Sequence, residues 1–131
     1  MTNAQVESMI EYWKKTAKRD YDTMQLLFKS KRYPESLFYG HIVLEKILKA
    51  YVVKQTKKQA PRIHDLVRLS EIAGLSLERE VLELLKEVNN FNIRARYPDY
   101  KLKFYKYWNK REISEPKYNE IISLYKKVCR E

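Results

Sequence analysis

Residues 91–111, FNIRARYPDYKLKFYKYWNKR, hold the side chains best suited to meeting a polyanion. Arg94 and Arg96 flank Ala95. Lys101, Lys103, Lys106, Lys110 and Arg111 then alternate with Tyr100, Phe104, Tyr105, Tyr107 and Trp108. Cations that neutralise phosphates, set among flat rings that stack on bases, are the combination that single-stranded nucleic-acid binding uses. The same residues also suit aromatics tucked against a bundle with lysines in water, or a protein interface, where Tyr and Trp are enriched. A net charge of +10, from 27 Lys+Arg against 17 Asp+Glu, suits RNA, a nucleotide or an acidic protein face, and equally a lysine-rich solubility surface.

Proton-transfer groups are scarce. His41 precedes Glu45 by one helical turn, a spacing at which a carboxylate can orient an imidazole as general base or simply satisfy a half-buried histidine. His64, next to Asp65, reads most simply as part of a helix cap. With two histidines and one cysteine, Cys129, no set of residues has metal-ligand spacing and no internal disulfide can form, so neither metal nor cofactor is expected. Two isolated glycines cannot build a phosphate-cradling loop, and no serine sits in a nucleophile elbow.

The elements that position these residues are helices. Val6, Met9, Ile10, Trp13, Ala17, Met24, Leu27 and Phe28 form one face of a long first helix, with Thr2 and Gln5 spaced as a capping box. Pro34 opens a second helix with a broad apolar face from Leu37 to Val52. A short helix follows, capped by His64 or Asp65 and stopped by Gly74. Ser76 is placed to cap a fourth, which runs through Phe91 and ends near Arg96 because Pro98 disfavours helical geometry at Tyr97. Residues 99–113 read as a connection, after which Glu115 and Pro116 open a last helix. The expectation is an all-α protein: an antiparallel up-and-down bundle of about five helices, a four-helix core plus a short helix, in one domain over residues 1–131. No run of apolar residues is long enough to span a membrane, and the N-terminus lacks a signal-peptide pattern, so a cytoplasmic protein is expected.

Taken in order, the long first helix, ESLFYGHIVLEKILKAYVVKQ, IHDLVRLSEIAGL and ARYPDY resemble a HEPN domain (higher eukaryotes and prokaryotes nucleotide-binding). EKILKA at Glu45–Ala50, HDL at His64–Leu66 and ARYPD at Ala95–Asp99 carry the match, which covers nearly the whole chain. The resemblance implies a bundle that dimerises, and a partnership with a small nucleotidyltransferase, often as toxin and antitoxin. It also implies, for many members, a metal-independent ribonuclease built on an Arg followed after four to six residues by a His. Such a His would move protons at the ribose 2′-hydroxyl while the Arg steadies the phosphate. Here that Arg would be Arg94 or Arg96, and the matching positions, Asp99 to Lys103, hold no histidine.

The expected function is therefore a non-catalytic HEPN-type binding protein: a homodimer, partner of a nucleotidyltransferase, binding nucleotide or RNA through Arg94, Arg96, Lys101, Lys103, Lys106 and Arg111. Asp99 could instead pair with either arginine. In some such pairs the transferase attaches nucleotides to a tyrosine, for which Tyr97, Tyr100, Tyr105 and Tyr107 are available. One alternative is a ribonuclease in which His41 or His64 meets Arg94 or Arg96 in space. The other is a basic module that docks on an acidic protein.

Overall fold

The computed structural model describes the backbone of residues 1–131 and every side chain except those of Pro98 and Asp99. Six helices follow one another: α1 (Asn3–Lys29), α2 (Tyr33–Thr56), α3 (Leu66–Ile72), α4 (Arg79–Arg94), α5 (Pro98–Trp108) and α6 (Arg111–Arg130). No strand occurs among the described residues, so the expected all-α bundle is what forms, with one helix more than the sequence suggested.

Local chemistry explains most boundaries. Thr2 and Gln5 close the predicted capping box on α1. Two of the turns end in the same device. Lys31 and Gly74 both take positive φ, and the next residues, Arg32 and Leu75, donate back to Leu27 and Ser70. Gly74 adopts that conformation at little cost, whereas Lys31 carries a Cβ into it. Asp65, not His64, caps α3 by accepting from the Val67 and Arg68 amides. Asn89 of α4 completes the corner. Its amide donates to Asp65 at 2.9 Å, and its carbonyl accepts from the Leu66 amide at 2.9 Å.

α2 is the central rod. It packs chiefly on α1 and touches α3, α4, α5 and α6. Its burial reaches nearly all round, through Leu37, Val43, Leu44, Ile47, Leu48, Val52 and Val53. Gly40 lets α6 come close, since a Cβ there would stand 2.8 Å from Ile121 Cδ1.

Two expectations about the C-terminal third need correction. Residues 99–113 are not a connection, because Pro98–Trp108 is helical. Pro98 ends one helix by holding Tyr97 extended and then begins another at the position where its missing N–H costs least. Burial of Phe104 against Phe91, ring centroids 5.5 Å apart, gives α5 the tertiary contact that a short lysine-rich segment lacks alone. α6 likewise opens at Arg111, four residues before Glu115, and Pro116 lies inside it, so the Glu112 carbonyl receives no N–H from that position. α4 starts later than Ser76 suggests, with Glu78 as an N-cap that makes no side-chain bond.

Candidate functional site

The three C-terminal helices each offer one stripe to a shared groove of about 840 Å³. From α4 come Glu87, Asn90, Phe91 and Arg94; from α5, Tyr100, Lys103, Phe104 and Tyr107; from α6, Ile113, Pro116, Lys117 and Glu120. Each set has the spacing i, i+3, i+4, i+7 that puts residues on one helical face. Phe91 and Phe104 are buried and form the floor, and Trp108 meets Phe91 edge-on at 5.3 Å. Tyr100 and Tyr107 keep more than half of their surface open at the rim.

The groove is polarised. Arg94, the last residue of α4, and Lys103, midway along α5, are exposed, and among the described residues neither has an acidic partner within ion-pair distance. At the other end Lys117 bridges α6 to α4, with its ammonium 2.8 Å from Glu87 and 3.4 Å from Glu120. Burial works against that ammonium, yet the two carboxylates outweigh it and hold its pKa above the ordinary lysine value. Two carboxylates against one ammonium leave this end one charge negative.

A second cluster lies around Glu45 on α2. Glu45 Oε2 takes the Lys49 ammonium at 3.1 Å and Oε1 takes His64 Nδ1 at 2.8 Å. Lys49 is almost fully buried, its ammonium 5.3 Å from the Trp13 ring centroid. His41 is 1 % exposed, with Nε2 3.0 Å from the His64 carbonyl oxygen. A carbonyl only accepts, so Nε2 carries the hydrogen. Burial holds the His41 pKa below the ordinary histidine value, although Glu45 pulls the other way. The Arg96 charge adds a little to the same depression, and its guanidinium rests 5.5 Å from the Phe38 ring centroid. His64 is largely exposed and gives its Nδ1–H to Glu45; in the neutral ring Nε2 is the acceptor.

The six cations expected to bind a ligand are thus divided. Arg94 and Lys103 line the groove. Arg96 leaves the turn after α4 in the other direction, toward Phe38 and His41. The Lys101 ammonium lies over Tyr105, 5.7 Å from its ring centroid. Arg111 is tied to Glu115 at 3.1 Å and covers Phe28. Lys106 is exposed. Any pairing through Asp99 lies outside the described residues. No group of His, Cys, Asp or Glu able to hold a metal occurs among the described residues, and no helix is long and apolar enough to cross a membrane.

The HEPN domain model matches residues 10–131. The chain belongs to the HEPN family. Neither a curated protein nor a solved structure is significantly similar to it. Membership carries a nucleotide- or RNA-related role in general terms. Within this HEPN fold the two histidines come together around Glu45, while Arg94 faces a groove that no histidine lines. The acidic end of that groove went unseen in the sequence because Glu87, Lys117 and Glu120 come from two helices about thirty residues apart. The signal that could have found it is the repeated i, i+3, i+4, i+7 stripe.

Proposed function

We propose that this HEPN protein binds RNA or a nucleotide at its C-terminal helices without cleaving it, and serves as the homodimeric partner of a small nucleotidyltransferase in a toxin–antitoxin-like pair. The observation that carries the binding reading is the groove itself, in which Arg94 and Lys103 stand beside the open rings of Tyr100 and Tyr107. Phosphates neutralised by cations while bases stack on aromatics require this pairing. The non-cleaving half rests on the residues present there: the groove offers no imidazole, and the position where the family motif would put one holds none. The partnership is supported by family membership.

The test is binding of a short single-stranded RNA and of ATP at two salt concentrations, with the same samples run on a gel. Salt-sensitive binding without cleavage supports the proposal, and absence of binding overturns it. Co-purification with a nucleotidyltransferase encoded beside it tests the partnership.

One contact favours a second reading. Glu45 orients His64 Nδ1–H and leaves Nε2 toward solvent, the arrangement of a carboxylate-supported general base, with Arg96 nearby on the same side of the bundle. A ribonuclease acting through His64 would lose cleavage in His64→Ala and keep it in Arg94→Ala.

A further inference from the structure

The polarity of the groove bears on which base it takes. Glu87 and Arg94 lie seven residues apart on one face of α4, about 10 Å along its axis. That separation is comparable to the span from the phosphate of a nucleotide to the far edge of its base. The cationic end suits the phosphate, and of the two exposed rings on α5 Tyr107 is the one farther along the chain from Arg94, where a base would stack. The far end offers carboxylate oxygens, with the Lys117 ammonium bridging both acids.

Carboxylate oxygens select among bases by what those bases donate. Guanine places N1–H and the N2 amino group side by side on its Watson–Crick edge, a pair of donors matched to the two oxygens of one carboxylate. Adenine puts an acceptor nitrogen beside its amino group, so one carboxylate oxygen would face a lone pair. Uracil offers a single donor between two carbonyls. Glu120 is the freer of the two acids, half exposed and held more loosely by Lys117 than Glu87 is.

Resting on the nucleotide- or RNA-binding reading, we infer that the α4–α5–α6 groove is a guanine-selective nucleotide site. Arg94 and Lys103 hold the phosphate, Tyr107 stacks on the base, and Glu120 accepts from its Watson–Crick edge. The guanosine unit could be free or part of an RNA strand; the chemistry recognised is the same.

Titration calorimetry of the full chain with GMP, AMP, CMP and UMP, and with uridine hexamers carrying or lacking one 5′-phosphorylated guanosine, tests this. GMP is expected to bind about tenfold more tightly than AMP or UMP. Glu120→Gln should erase that preference while leaving the melting temperature in place, because the side chain is half exposed. Tyr107→Ala should weaken all four nucleotides alike. Tighter binding of the guanosine-bearing hexamer than of GMP assigns the site to RNA, and equal binding assigns it to the nucleotide. Equal affinity for GMP and AMP, or a preference that survives Glu120→Gln, overturns the inference. In that case continued binding of the uridine hexamer leaves the RNA-binding reading standing, whereas loss of all binding removes both.

Discussion

His64 donates its Nδ1–H to Glu45 Oε1 at 2.8 Å, while its own carbonyl accepts from His41 Nε2 at 3.0 Å. One residue of the α2–α3 connection is therefore fastened to α2 twice, by side chain and by backbone. Glu45 is shared between this fastening and the nearly buried Lys49. The two demands on Glu45 differ in weight, because water can replace it at His64 and cannot readily do so at Lys49.

Glu45→Gln should therefore cost far more than His64→Ala. The first leaves the Lys49 ammonium buried without a counter-charge, expected to destabilise by about 3 kcal/mol. The second removes an exposed partner and should cost no more than about 1 kcal/mol. Urea unfolding of the two variants checks the order. Equal, small losses would mean that Lys49 reaches water.

His41 gives the bundle a pH dependence of known sign. Its pKa in the folded chain lies below the ordinary value of about 6.5 that it regains on unfolding. Between those two values the unfolded chain binds more protons, so stability is full above about pH 6.5 and falls as pH drops through the folded value. His41→Gln should flatten the melting-temperature curve over that window relative to the parent. A slope identical in both proteins would assign the loss to carboxylates instead.

Much of this was legible in the sequence, and the misses share a cause. The capping box at Thr2, the break before Pro34, the Asp65 cap and the Gly74 stop are local, and local chemistry set them. α5 was not, because its stripe of Tyr100, Lys103, Phe104 and Tyr107 is chemically mixed and only Phe104 is buried. Pro98 reads as a terminator and serves also as a first helical residue. Arg94 and Lys103 could be picked out as cations, but not that Arg96 and Arg111 would turn to Phe38 and Phe28. Nothing in a lysine on an apolar helix announces that Lys49 will be buried beside Trp13.

Gly40 is expected to tolerate no side chain. Alanine would gain about 1 kcal/mol of helix propensity. Against that, its Cβ would stand 2.8 Å from Ile121 Cδ1 and 3.3 Å from Cγ2, in a side chain that is fully buried and would have to shift. Overpacking of this kind costs about 1–3 kcal/mol, so Gly40→Ala should lower stability on balance. Ile121→Val in the same chain removes the nearest methyl and should restore part of the loss. Chemical denaturation of the single and double variants measures this, and additive losses would show that the two positions do not press on each other.

The division of the cations predicts which of them an RNA strand senses. Each phosphate contact in single-stranded binding adds about 0.7 to the slope of log affinity against log salt. Arg94→Ala and Lys103→Ala, which remove cations lining the groove, should each lower affinity and reduce the slope by roughly that amount. Arg111→Ala should leave the slope unchanged and instead cost a little stability, since its guanidinium is committed to Glu115 and covers the Phe28 ring. Fluorescence anisotropy with a labelled uridine oligomer over a salt series reads all three variants. A drop in slope for Arg111→Ala equal to that for Lys103→Ala would move the RNA path out of the groove and along the α5–α6 turn.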